Sequence, residues 1–339
     1  MEEMKRIKRE VDTIILDRIV PDVDGREEIK LLYRMMRDYP QRPAKGIRPF
    51  LCIATCKALG GDEKEALLSA SCIELFQHWV LIHDDIEDQS ELRRGMPTLH
   101  RKYNVALALN AGDALHAKMW GALLENREIL GESLSLSIMK EFANMVNKTT
   151  EGQHMELSWI AENRWDIKEE DYIEMCTRKT SWYTAVGPCR IGALIAGVSE
   201  QTLSQLEIMG VKLGIGFQIQ DDTLNLTADQ SLYGKESSDD ILEGKRTLIM
   251  IRLLNKAEKQ DREKILGIMS KGREEKTEED IAFILNAIAK YHAIDYARDV
   301  ARKMVYDALQ IMEKINWKGN KEYAEMLKSL SIFMVERKW

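Results

Sequence analysis

Apolar residues recur along this chain at intervals of three and four. Leu67, Ala70, Ser71, Glu74, Leu75, His78, Trp79 and Ile82 follow an i, i+3, i+4 pattern, and so do Leu203, Leu206, Met209, Gly210, Leu213 and Phe217. That period turns one side of a helix toward a core, so both stretches are predicted to be helical. Met139, Phe142 and Val146 repeat at the same spacing and read as core or interface. Strand-like alternation between turn pairs is hard to find, and no βαβ rhythm, glycine-rich phosphate loop or short repeat stands out. Breakers are scarce: six prolines, none after Pro188, and twenty glycines placed mostly at segment ends. Breaks are expected at 39–46, 60–62, 95–97 and 233–244, none of them a long linker. From about Lys245 onward the helices are more charged, yet their apolar stripes need partners earlier in the chain. One all-α domain spanning residues 1–339 is the expectation.

Composition narrows the function. Across 339 residues, 49 basic against 56 acidic side chains give a formal net charge of −7. That is the wrong sign for holding the phosphate backbone of nucleic acid by bulk charge. No run of eighteen residues lacks a charged side chain, so no transmembrane helix is expected. The first residues have no apolar signal-peptide core, and Cys52, Cys56, Cys72, Cys176 and Cys189 are scattered without metal-ligand spacing. Reduced thiols in a cytoplasmic protein follow as the expectation.

Two segments carry the chemistry. In Leu81-Ile82-His83-Asp84-Asp85-Ile86-Glu87-Asp88, followed by Arg93-Arg94-Gly95, an apolar helical run ends in closely spaced carboxylates. Positions i and i+4 lie about 40° apart around a helix, so Asp84 and Asp88 share a face. Like charges there repel, and a hard divalent cation relieves the repulsion. Mg²⁺ favours a few carboxylates plus substrate phosphate oxygens, and Arg93 and Arg94 offer forked donors to phosphate. The plainer alternative is a solvated acidic helix end with basic neighbours. The second segment, Gly214 to Asn225, again ends an apolar run in an aspartate pair, Asp221-Asp222, with the oxygen-bearing Asn225 four residues after the first. Gly234-Lys235 and then Asp239-Asp240-Ile241-Leu242-Glu243-Gly244-Lys245-Arg246-Thr247 follow. Two such helix ends facing each other across a bundle would form a cavity for several Mg²⁺ ions, ringed by lysine and arginine and suited to a diphosphate. His83 is read as structural, because hard Mg²⁺ prefers oxygen. Cys52 and Cys56 share a helical face and read as buried. Trp120, Trp159 and Trp182 read as packing or interface residues, and the lysine-rich 256–264 segment as a solvated face.

With these motifs in place, the chain resembles the trans-type isoprenyl diphosphate synthases, the family that includes geranylgeranyl and farnesyl diphosphate synthases. The resemblance runs in order from Lys45-Gly46-Ile47-Arg48-Pro49 through the first motif, Gly152-Gln153, Lys179-Thr180 and the second motif to Gly234-Lys235 and Gly244-Lys245. It implies a helical bundle around a deep central cavity and a homodimer. It also implies a Mg²⁺-dependent prenyltransferase that condenses isopentenyl diphosphate with an allylic diphosphate (dimethylallyl, geranyl or farnesyl). The allylic diphosphate ionises, its carbocation alkylates the double bond of isopentenyl diphosphate, and a proton is lost. Metal charge makes diphosphate a good leaving group. By this resemblance Asp84, Asp88 and Asp221 would bind Mg²⁺, supported by Asp85, Asp222 and Asn225. Arg93, Lys179, Lys235 and Lys245 would hold the allylic diphosphate. Lys45, Arg48 and Arg94 would hold isopentenyl diphosphate, with Gln77 nearby where relatives often have His. Thr180 and Gln218 would face the developing cation as fixed dipoles. The released diphosphate takes the proton, and no protein nucleophile is needed.

Three positions depart from the family pattern. Asn225 stands where many members have a third aspartate, which keeps an oxygen ligand but drops a charge. Glu156 in Gly152-Gln153-x-x-Glu156 is one methylene longer than the usual Asp, and Gln77 keeps the hydrogen-bonding capacity of His. For product length, the growing isoprenoid is expected along the apolar face of the helix ending at Asp84. Val80, Trp79 and Phe76 lie four, five and eight positions upstream. A bulky Trp79 beside a small Val80 leans to twenty-carbon geranylgeranyl diphosphate, with fifteen-carbon farnesyl diphosphate as the alternative should the indole stop the chain earlier. Among rival readings, a terpene cyclase has no need of Lys45, Arg48 and Arg94. A non-catalytic subunit of a heteromeric synthase draws slight support from Asn225, and a helical scaffold leaves the duplicated motif unexplained.

Overall fold

The computed structural model of the protein describes residues 2–227 and 238–337. Its elements are α1 (Glu2–Thr13), α2 (Glu27–Gln41), α3 (Ile47–Ala58), α4 (Glu63–Glu87), the strands β1 (Leu92–Arg93) and β2 (Met96–Pro97), and α5 (Leu99–Lys102). There follow α6 (Val105–Leu130), α7 (Glu132–Ala161), α8 (Glu169–Cys176), α9 (Gly187–Ile195) and α10 (Glu200–Thr227). The chain continues with α11 (Asp239–Glu243), α12 (Leu248–Lys256), α13 (Lys259–Met269), α14 (Glu278–Lys290), α15 (Ala293–Met312) and α16 (Lys321–Glu336). Ile14–Ile19 and Thr177–Val186 are wound more widely, as π-helix. The fold is all-α, as the periodicity predicts.

Local chemistry explains where the helices begin. Asp62 caps α4 by accepting from the Lys64 backbone N–H at 2.9 Å, with Glu63 and Glu65 in the first turn, where the helix dipole favours acid. Asn104 caps α6 through the Leu107 N–H at 2.9 Å. Thr247 caps α12 through the Met250 N–H at 3.3 Å. Among the described residues, the β pairing is the hairpin of β1 and β2, with Leu92 opposite Pro97 and Arg93 opposite Met96. Arg94 and Gly95 form its turn with φ of 55° and 75°. Positive φ at both central positions is the mark of the primed turns that match strand twist.

The chain divides into two compact units. One comprises residues 1–145, 183–207 and 313–328; the other comprises 146–182, 208–312 and 329–339. In the first, α4 packs on α3 and α6, α3 packs on α9, and α1 lies on α3 and α4. Ile7, Val11, Ile53, Ile73, Phe76 and Leu115 are wholly buried there. Close approach of α3 and α9 depends on Gly192, where an added Cβ would sit 2.1 Å from the Cys52 carbonyl oxygen. In the second unit, α12 packs on α8, α14 and α15, and α14 also touches α11, α13 and α15.

Candidate active site

The first motif lies at the end of α4. Four carboxylates, Asp84, Asp85, Glu87 and Asp88, crowd the negative end of a helix dipole there, an arrangement that calls for cations. Asp85 is buried at 1% side-chain exposure. It accepts from the Tyr39 hydroxyl and from two guanidinium nitrogens of Arg93, with Arg93 Nε to Oδ1 at 2.9 Å. Burial raises the Tyr39 pKa, and the adjacent Asp85 charge adds to the rise. Burial would lower that of Arg93, but the Asp85 carboxylate outweighs it and holds the guanidinium well above its ordinary value. Asp84 is more open, at 15% side-chain exposure, with Arg93 Nη2 at 3.4 Å. Asp88 follows as the C-cap of α4, its N–H on the Asp84 carbonyl at 2.8 Å.

The hairpin behind this motif is clamped from α2 and the loop after it. Arg42 donates to the carbonyls of Arg93 and Pro97, both at 2.7 Å, and pairs with Asp38. Arg94 reaches back to the Tyr39 carbonyl at 3.3 Å, and burial lowers its pKa. Lys45 is half-buried just ahead of α3. Next to it, Gly46 holds a left-handed φ of 66°, and a Cβ there would meet the Lys8 side chain at 2.8 Å. Arg48 is buried, donating to Thr184 Oγ1 at 2.8 Å with its guanidinium 4.4 Å above the Tyr183 ring. Gln77 is half-buried.

The second motif repeats the first in its chemistry. Asp222 is buried, accepting from the Tyr172 hydroxyl at 2.7 Å and from Gln218 Nε2 at 2.8 Å. Burial raises its pKa while these two hydrogen bonds pull it back. Thr180 Oγ1 donates to Gln218 Oε1 at 2.6 Å. The amide is thereby oriented by its own network, oxygen to hydroxyl and nitrogen to carboxylate. Asp221 is more open, at 30% side-chain exposure, and bonds to Arg337. Asn225 is buried, and its Oδ1 accepts from the Asp240 N–H at 3.1 Å. One lone pair of that amide oxygen therefore belongs to the 238–240 turn.

Lys179 pairs with Glu156, both largely buried. Gly152, one turn before Glu156 on α7, makes this possible, because a Cβ there would lie 2.2 Å from the Lys179 backbone nitrogen. The π-helical turn carrying Lys179 and Thr180 is thus laid against α7 backbone to backbone. Lys245 pairs with Glu243 at 2.6 Å and Asp240 at 3.8 Å. Lys235 lies outside the described residues. Among the described residues, no three His, Cys, Asp or Glu side chains converge into a ready-made metal cage. Mg²⁺ held by one or two carboxylates and the oxygens of a bound diphosphate requires none.

Comparison with known proteins decides the family. The profile of the polyprenyl synthetase family matches residues 29–288. The chain belongs to the polyprenyl synthetase family. A geranylgeranyl diphosphate synthase of Saccharolobus solfataricus is 35% identical over 294 residues, 87% of this chain and 86% of that one. The crystal structure of a geranylgeranyl pyrophosphate synthetase from Pyrococcus horikoshii matches at a TM-score of 0.86 and 31% identity, covering 99% of this chain and 98% of its own. That of a Corynebacterium glutamicum geranylgeranyl pyrophosphate synthase, complexed with isoprenyl diphosphate and magnesium, matches at 0.86 and 25% identity, covering 98% and 97%. This polyprenyl synthetase is therefore an enzyme of isoprenoid synthesis, a trans-type prenyltransferase.

Upstream of the first motif, the synthetase carries an aromatic stack. Trp79 lies on the His116 ring, with centroids 4.0 Å apart and planes 16° from parallel, and meets Phe76 edge-on at 5.3 Å. Trp120 Nε1 donates to His116 Nε2 at 2.8 Å, which fixes the histidine with its proton on the other nitrogen when neutral. Burial lowers the His116 pKa in the same sense. Phe76 is wholly buried, Trp79 nearly so, and Val80 half-buried. His83 packs over Gly112 of α6, where a Cβ would come 2.3 Å from its Nε2, in keeping with a structural role.

Four residues of this environment escape sequence reasoning: Tyr39, Arg42, Tyr172 and Arg337. Each acts on a motif residue 46 to 116 positions away. No local spacing announces such a partner.

Proposed function

We propose that this synthetase condenses isopentenyl diphosphate with allylic diphosphates, using Mg²⁺, and that its product is geranylgeranyl diphosphate. The observation that supports this most is the shared design of the two motifs. In each, the second aspartate is buried and fixed by a tyrosine hydroxyl, while the first, Asp84 or Asp221, keeps a more accessible carboxylate. Hard oxygen donors presented singly in this way fit Mg²⁺, and bound metal supplies the charge neutralisation that lets diphosphate leave. Asp84, Asp88 and Asp221 would hold it, with Asp85 and Asp222 ordering the motif behind them.

Arg93, Lys179, Lys235 and Lys245 orient the allylic diphosphate, and Lys45, Arg48, Arg94 and Gln77 receive isopentenyl diphosphate. The Thr180 hydroxyl points its proton into Gln218, which leaves its oxygen lone pairs to face positive charge. Phe76, Trp79 and Val80 set product length. The 339 residues act as one synthase domain in the cytoplasm; among the described residues, no helix is long and apolar enough to cross a membrane. A homodimer is supported by α6, where Val105, Leu107, Leu109, Leu124 and Ile129 are exposed.

A fifteen-carbon product is the second reading, favoured by the tight Trp79–His116 stack. One experiment tests the proposal. The purified chain is incubated with labelled isopentenyl diphosphate, each allylic starter and Mg²⁺, and the dephosphorylated products are resolved by length. A twenty-carbon alcohol is expected, and a fifteen-carbon one replaces the product while keeping the reaction. No product with any starter would turn the reading to a subunit that needs a catalytic partner.

A further inference from the structure

Arg337 holds the first aspartate of the second motif from the far side of the sequence. Its Nη2 donates to Asp221 Oδ1, and its Nε donates to the Met334 carbonyl at 3.3 Å. Its guanidinium lies 4.3 Å above the Phe217 ring. Its backbone carbonyl accepts from Gln220 Nε2 at 2.7 Å, so both ends of the residue are anchored to α10. The Arg337 side chain is 8% exposed, which makes this a built contact and not a loose surface pair.

With Oδ1 engaged by the guanidinium, a divalent ion would take the other oxygen of the same carboxylate at about 2 Å, and the two cations held on one carboxylate repel. The space for a change of partner is present. A cavity of about 570 Å³ opens beside Arg337, lined by Gln220, Leu224, Arg298, Arg302 and Glu336 as well as by Arg337 itself. Glu336 on its wall offers the guanidinium another carboxylate.

We propose that Arg337 is a resident counter-ion of the second motif, a positioning residue that keeps Asp221 ordered before metal binds and is displaced from it by the metal–diphosphate complex. The inference rests on the assignment of Asp221 to metal binding. Arg337 thus sets the metal concentration at which the second motif fills, and it weakens metal affinity in exchange for a preformed carboxylate.

The test measures Mn²⁺ binding to the full chain by electron paramagnetic resonance of the free ion, with inorganic diphosphate present. Arg337→Gln removes the charge and keeps a hydrogen-bonding group, and Gln220→Leu releases the backbone anchor while leaving the arginine in place. Arg337→Gln is expected to tighten Mn²⁺ binding roughly tenfold, the order of one charge-assisted hydrogen bond no longer to be broken. Gln220→Leu should move it in the same direction, by less. The Asp221→Asn variant should bind Mn²⁺ more weakly, and adding Arg337→Gln to it should change nothing further. Unchanged or weaker binding in Arg337→Gln, with Asp221→Asn still impaired, overturns the counter-ion role while the metal assignment stands. Unaltered binding in Asp221→Asn overturns the metal assignment, and the counter-ion role with it.

Discussion

The Tyr172 hydroxyl donates to Asp222 at 2.7 Å inside the protein, and the Tyr39 hydroxyl donates to Asp85 in the same manner. Two helices far apart in the chain therefore use the same phenol donor, although Asp85 is also paired with the Arg93 guanidinium and Asp222 with the neutral Gln218 amide. A phenol orders a buried carboxylate next to an accessible one without adding a charge of its own, at little cost in freedom. Tyr172→Phe removes the donor and leaves Asp222 with Gln218 as its remaining partner among those described above. The expected loss is about 1–3 kcal/mol of stability, read from denaturant unfolding, with a fall in turnover. Stability and turnover equal to those of the parent protein would show that the hydroxyl does not order Asp222.

Asp84→Ala tests the first motif directly. Ionisation of an allylic diphosphate relies on charge stabilisation worth several kcal/mol, so turnover should fall by roughly three orders of magnitude or more. Because Asp84 is partly exposed and Asp85 carries the Arg93 and Tyr39 contacts, thermal unfolding should shift little. Turnover near that of the parent protein would remove Asp84 from the metal set.

Much of this architecture is legible in the sequence because helix period and helix-end carboxylates are local signals. The stripe through 67–82 is buried in α4 except for Leu67, polar members Glu74 and His78 included, but Leu68, Ser69, Cys72, Ile73 and Phe76 off the stripe are buried too, so the middle of the helix is enclosed on all sides. Burial raises the pKa of that glutamate and lowers that of the histidine, so both are driven toward neutrality. The hairpin at 92–97 is less legible, being two residues per strand around a turn that Arg94 enters with positive φ. What sequence spacing cannot supply is pairing at long range. It points to Arg93 and Asn225 but not to the partners that hold them, Asp85 for the guanidinium and the Asp240 N–H for the amide oxygen. Tyr172 and Arg337 were silent for the same reason.

Gly152→Ala probes the support under Lys179 without touching a charged group. The added methyl group would lie 2.2 Å from the Lys179 nitrogen and 2.7 Å from its Cα, both backbone atoms, so the 177–186 segment must move. Overpacking of this kind costs roughly 1–3 kcal/mol. Displacement of Lys179 and Thr180 by about 1 Å should lower turnover on the order of 100-fold. Should the variant retain both its melting temperature and its turnover, Lys179 and Thr180 do not depend on the close approach of these two segments.

Trp79 governs the last prediction, product length. Its ring is held face-on by His116 and edge-on by Phe76, and His116 is in turn fixed by Trp120, so the indole cannot swing aside by a single rotamer change. A growing isoprenoid on this face of α4 would stop against a wall, not a gate. Trp79→Ala should therefore lengthen the product by one or more five-carbon units, at a stability cost of roughly 3–5 kcal/mol for the cavity. Trp79→Phe keeps more of the packing and should show a smaller shift in the same direction. Chromatography of the dephosphorylated products separates the outcomes: a distribution that stays put in both variants means that another side chain sets the length.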